Sequence, residues 1–221
     1  MGSDDLFHKR NARRARDLAR KRARRASYNR VLIVCEGAKT EPNYLRKLIN
    51  FLELNTANVV VDGDSDSSPV SVVEHSKKRY NEEKRTGDGF DRVFCVFDKD
   101  VHESYTRALD EVEKVKPKNI FKAITSVPCF EYWLLLHYEF STKPFVVTGT
   151  KSACANLIDH LKKFFPAYSK GNANTYNEVK SQTSDAIDRS KRVLKQAQEN
   201  GRDNPATLMH ELVEYLHHLK D

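Results

Sequence analysis

Apolar residues recur along this chain in two rhythms, short unbroken runs and longer stretches with three- and four-residue spacing. Val31-Leu32-Ile33-Val34-Cys35 is continuous and apolar, the pattern of a strand buried on both faces of a parallel sheet. Glu36-Gly37 ends it. From Thr40 the rhythm changes. Tyr44, Leu45, Leu48, Ile49, Phe51 and Leu52 mark one face of a helix, and Pro42 is tolerated in its first turn. Residues 59–61 read as a second strand, closed by Asp62-Gly63-Asp64-Ser65-Asp66-Ser67-Ser68, and 69–85 as a second helix broken by Gly87-Asp88-Gly89. Residues 92–97 form the next apolar strand and run into Asp98-Lys99-Asp100. A helix over 104–115, a strand over 120–124 and a strongly apolar helix over 129–138 follow.

Strand and helix alternate over short connections, which predicts an α/β fold: a parallel sheet of about four strands, flanked by helices and joined by right-handed crossovers. Past residue 150 the strand signals stop. Helical patterns cover 151–165, 177–200 and 205–219. The expected organisation is a basic arm over 1–30, disordered or helical on binding, an α/β domain over 31–150, and a helical C-terminal subdomain over 151–221.

Charge changes the picture only at one end. The first 30 residues hold eleven Lys or Arg against three Asp, so the arm carries more than the whole net charge of +7 and the rest is close to neutral. Leu18 is the one large apolar residue between Lys9 and Arg25, too little to bury a face. Arg13, Arg14, Arg16, Arg20, Lys21, Arg22, Arg24 and Arg25 are the candidate phosphate contacts, where neutralising each phosphate releases counterions. A solubilising tail is the plainer reading. No apolar stretch is long enough to span a membrane, and the arginine-rich start lacks the apolar core of a secretory signal. Cys35, Cys95, Cys129 and Cys154 are far apart and never in a CxxC pair. Neither a zinc site nor a disulfide framework is expected, and a cytoplasmic protein is.

Three acids occupy one kind of place, the loop directly after a buried strand: Glu36 after the first, Asp98 and Asp100 after the third. Ligands of open α/β sheets bind outside the carboxyl ends of the strands. Residues two apart on extended backbone point the same way, so Asp98 and Asp100 can face one cavity, with Glu36 joining them if the strands are neighbours. Three such carboxylates repel one another unless a cation neutralises them. Mg²⁺ or Mn²⁺ suits the set, leaving positions for water and phosphate oxygens.

The strand–Glu–Gly and strand–DxD pattern resembles the Toprim domain of topoisomerases, primases and related nucleases. More closely, Val31-Leu-Ile-Val-Cys-Glu-Gly-Ala-Lys-Thr-Glu-Pro-Asn-Tyr44, Val96-Phe-Asp-Lys-Asp100 with His102, Pro128-Cys-Phe-Glu-Tyr-Trp-Leu-Leu-Leu-His137 and Asn204-Pro-Ala-Thr207 resemble the RloB-like family. The resemblance implies a Toprim-like sheet. It also implies a metal-dependent nuclease acting on RNA, transfer RNA included, or on DNA in bacterial anti-phage (abortive infection) loci. An ATPase encoded alongside is the implied partner, as in the AbiL pair. Glu36 is then metal ligand and general base, and Asp98 and Asp100 are metal ligands. Ala38 departs from the charged or polar residue expected there, leaving these ligands untouched.

Around this set, Lys39 and Thr40 open a helix whose free N–H groups favour anions, though Thr40 also suits a plain cap. Glu41 and His102 are candidate supporting residues, and His102 reads equally as a surface residue. Glu131 sits inside an apolar helix, where a carboxylate needs a partner or a metal. His137 reads as a satisfied histidine at a helix end. Tyr168 and Lys170 suggest an aromatic–basic pair for single strands. A homodimer stays open. Two rivals remain: a non-catalytic nucleic-acid- or protein-binding adaptor, and a haloacid-dehalogenase-type phosphatase with Asp98 as nucleophile. The second wants its motif on the first strand and paired acids after a later one.

Overall fold

The computed structural model describes residues 3–99 and 103–221, and the side chains of all of these except 3–6 and 21. Asp100 and His102, and the side chain of Lys21, therefore lie outside the described residues. A basic helix, α1 (Ser3–Ala23), precedes β1 (Val31–Cys35), α2 (Thr40–Phe51), β2 (Val59–Asp62) and α3 (Pro69–Arg85). Then come β3 (Arg92–Asp98), α4 (Tyr105–Lys114), β4 (Phe121–Val127) and the short α5 (Glu131–Leu136). The C-terminal part holds α6 (Ala153–Leu161), α7 (Thr175–Val179), α8 (Thr183–Glu199), β5 (Ala206–Thr207) and α9 (Met209–His217).

The sheet order is β2-β1-β3-β4-β5. The first four strands are parallel, with Val31 opposite Val59, Cys35 opposite Val96 and Asp98 opposite Ser126. This is the α/β, Toprim-like arrangement expected, and β1 and β3 are direct neighbours, the condition for Glu36 to join the DxD acids. Alternate strand residues feed two cores. Val31, Ile33, Cys35, Phe94, Val96 and Ile124 pack with α2 and α5 on one face, while Leu32, Val34, Val93, Cys95 and Phe97 pack with α3 and α4 on the other. All five β1 side chains are fully buried, which accounts for their unbroken apolar run. Leu157, Val179, Val193 and Leu212 of the C-terminal helices belong to the first of these cores, so residues 151–221 share the sheet's interior.

Two features depart from expectation. A fifth strand exists: Ala206 and Thr207 pair antiparallel with Val127 and Ser126, and the Ser126 and Thr207 hydroxyls lie 2.9 Å apart. Two residues of ordinary composition after Pro205 carry no strand rhythm. Cys129 and Cys154 are also joined in a disulfide, their Cα atoms 5.8 Å apart, against the expectation of none. The turn after Pro128 and the start of α6 meet in space although 25 residues separate them. Cys35 and Cys95 are free and buried, as small hydrophobes are.

At the amino ends of the strands the arm is rooted. Arg22 donates to the Gly87 carbonyl (2.9 Å) and Arg25 pairs with the buried Asp88. Arg30 bridges to Glu83 at 3.0 Å and lies over the Phe90 ring, and Asn58 accepts from the Ala26 N–H at 3.0 Å. Within α1, the described side chains from Phe7 onward are exposed apart from Leu18. Among the described residues, no helix is long and apolar enough to cross a membrane.

Candidate active site

Glu36 extends the β1 ladder by one bond, its N–H donating to the Val96 carbonyl at 3.0 Å. Its carboxylate turns across to the neighbouring strand, where Oε2 accepts from the Asp98 N–H at 3.0 Å. Asp98 ends β3, and the Phe130 backbone lies near enough to its carboxylate to temper the rise that burial causes. The next residue stays in the ladder, Lys99 N–H donating to the Ser126 carbonyl at 2.9 Å. Parallel pairing of β1 with β3 thus brings two of the three expected ligands together at the carboxyl edge.

Two more carboxylates close on the pair. Glu41, in the first turn of α2, is buried. A Cβ on Gly37 would stand 3.3 Å from its Oε2, so glycine lets the β1 turn pass close to this acid. Burial first, then repulsion from Glu131 and Glu36, push the Glu41 carboxyl up to about 7. Asp98 is raised well above the usual carboxylate range by burial and by Glu41, Glu131 and Glu36. Glu131, in the first turn of α5, accepts from the Tyr168 hydroxyl at 2.7 Å and has Lys170 Nζ 3.5 Å away. Its other oxygen lies 3.5 Å from the disulfide sulfur of Cys154. Glu131 therefore has a basic partner and also faces the other acids.

A loop from the C-terminal part holds α2 in place. The Gly171 N–H donates to Thr40 Oγ1 at 3.0 Å and Asn43 donates to the Gly171 carbonyl at 2.9 Å. Gly171 has φ +77 and packs against the Lys39 side chain, a conformation glycine adopts without strain. Thr40 consequently serves as an acceptor for this loop rather than as a helix cap, while Lys39 is exposed.

Several expectations change. Tyr168 is buried with its hydroxyl on Glu131, so its ring offers no stacking surface for a base. Lys170 pairs with Glu131. Arg25 is committed to Asp88, whereas Arg13, Arg14, Arg16, Arg20 and Arg24 stay exposed. His137 is a core histidine whose Nδ1 contacts the Trp133 carbonyl at 3.0 Å, and burial pushes it down to about 4. The phosphatase arrangement is not met. Asp98 follows β1 and its Glu36 in the sheet, and neither β4 nor β5 ends in paired acids. The Gly171 clamp went unread in the sequence, where its one trace is the turn-rich Ser169-Lys170-Gly171-Asn172.

The acids suit a hard divalent cation. Glu36 and Asp98 offer carboxylate oxygens from adjacent strands, and without a cation the cluster retains protons instead. Cys129, Glu131 and Cys154 form a tighter donor group, but its sulfurs are bonded to one another. Comparison with curated proteins and with solved structures returned no match. The model of the RloB-like protein family matches residues 31–216, all five strands included. The chain therefore belongs to the RloB-like protein family.

Proposed function

We propose that this protein is a Toprim-type, Mg²⁺- or Mn²⁺-dependent nuclease that cuts RNA, transfer RNA being one candidate, or DNA. One observation carries the reading: Glu36 and Asp98 meet at the carboxyl edge of adjacent parallel strands, inside a set of four mutually repelling acids. Glu36 and Asp98, with Asp100, would hold the cation, which when bound polarises a phosphodiester and lowers the pKa of a water. The Asp98 N–H holds the Glu36 carboxylate beside the end of β3. Glu41, the nearest further carboxylate in the cluster, would support the bound cation from behind Glu36 and Asp98. The exposed arginines of α1 would engage phosphates without reading sequence. The anti-phage role and the ATPase partner rest on the family resemblance.

The test is a cleavage assay with Mg²⁺ or Mn²⁺ on transfer RNA, messenger RNA and single- and double-stranded DNA, comparing wild type with folded Glu36→Gln and Asp98→Asn. Metal-dependent cutting lost in both variants supports the site and names the substrate. No cutting, with no metal-induced rise in melting temperature, overturns it in favour of an adaptor.

A further inference from the structure

On the opposite side of β4 from the acids, at the same end of the sheet, a cleft of about 520 Å³ opens between α4, β4 and the loop after α8. Its size falls within the roughly 300–1,000 Å³ of small-molecule sites. We propose that this cleft is a subsite for one nucleobase of the polynucleotide, next to the phosphate held at Glu36 and Asp98; the inference rests on the nuclease reading above.

Tyr105 forms one wall. Its ring stands edge-on to Phe97, centroids 5.9 Å apart, and packs against the second core, so the aromatic surface is set before any ligand arrives. Val127 and Leu194 line the cleft with apolar surface, and Gln198, Arg202 and Asp203 add an amide, a guanidinium and a carboxylate. A flat heteroaromatic ring with donors and acceptors along its edge matches that lining: one face for stacking, polar groups for its rim.

Lys99 makes the link to the acids. It follows Asp98 directly, its Nζ pairs with Asp203, and it lies 5.8 Å from the Tyr105 ring centroid. Asp98 is close enough for its charge to act on the Tyr105 hydroxyl. A phosphate at the carboxylates would thus have a cation beside it and an aromatic wall just beyond, the order in which a nucleotide presents phosphate and base.

The test is binding of the four ribonucleosides, which carry no phosphate to meet the bare acids, to the full-length protein in EDTA, read by saturation-transfer NMR. Wild type is expected to bind at least one of them saturably. Tyr105→Ala should weaken that binding about tenfold or more, the scale of one lost base–aromatic stack, while Tyr105→Phe retains it. Gln198→Ala, at an exposed position that leaves the fold alone, should change which base binds best. Absence of binding at millimolar nucleoside, or binding that neither Tyr105→Ala nor Gln198→Ala alters, overturns the subsite and leaves metal-dependent cutting as a separate question. Nucleoside binding through Tyr105 in a protein that metal neither stabilises nor makes cut would sustain the cleft and overturn the nuclease reading.

Discussion

Replacing Glu41 by glutamine should flatten the pH dependence of stability measured without metal. The folded protein holds the Glu41 proton up to about 7, whereas an ordinary glutamate releases it near 4.5. Between those values the folded state binds more protons than the unfolded one, so stability falls as pH rises. The stabilisation relative to the ionised form is complete below about 4.5 and gone above about 7. At about 1.4 kcal/mol per pH unit, the displacement from 4.5 to about 7 comes to about 3 kcal/mol. For a chain this size that is roughly 6–12 °C in melting temperature. Asp98 is raised in the same direction and partly by Glu41 itself, so the substitution also relaxes Asp98 and flattens the profile further. The assay is urea or thermal unfolding from pH 4.5 to 7.5 in EDTA, plotted as wild type minus Glu41→Gln. That difference should move against wild type as pH rises, and Mg²⁺ should shrink the movement by neutralising the cluster. A difference constant with pH, or one moving in wild type's favour, refutes the account of Glu41.

A cation bound only by the folded state should raise stability by about 2.7 kcal/mol at a hundredfold excess over Kd, roughly 5–11 °C; scanning fluorimetry with Glu36→Gln and Asp98→Asn should show the rise abolished. Gly63→Ala would set a Cβ 2.9 Å from Pro42 Cγ and 3.0 Å from the Gly37 carbonyl oxygen. It should destabilise by about 1–3 kcal/mol and shift the Glu36 turn, read as lost stability with weakened metal response. Alkylation of denatured, unreduced protein should count two free thiols, Cys35 and Cys95. Cys129→Ala with Cys154→Ala should lower stability by about 3.5 kcal/mol, the chain-entropy value for a loop of this length, measured by urea unfolding.

The parts of the fold legible in the sequence are those where one residue's surroundings decide its type. β1 and β3 lie between two cores, so apolar residues run unbroken and their polar ends, Glu36 and Asp98, stand out. Ala206-Thr207 is too short for a rhythm, and its strand character comes from β4. Glu131 shows itself as an acid among Phe130, Tyr132 and Trp133, but its partners Tyr168 and Lys170 come from a loop far along the chain. For the same reason Tyr168 reads in sequence as a surface aromatic and is a buried donor in space. Pairings made by tertiary contact, Cys129 with Cys154 above all, leave no local trace.

The root of α1 lies at the amino ends of strands whose carboxyl ends bear the acids. Five to seven residues of strand separate the two edges by roughly 17–23 Å. On the proposed reading the molecule is therefore a length gauge. A DNA duplex advancing about 3.4 Å per base pair must be some five to seven base pairs long before it can touch the carboxylates and the arm's root together. Shorter oligonucleotides meet only the acids, and their cleavage would be insensitive both to the arm and to the part of the salt dependence that the arm contributes.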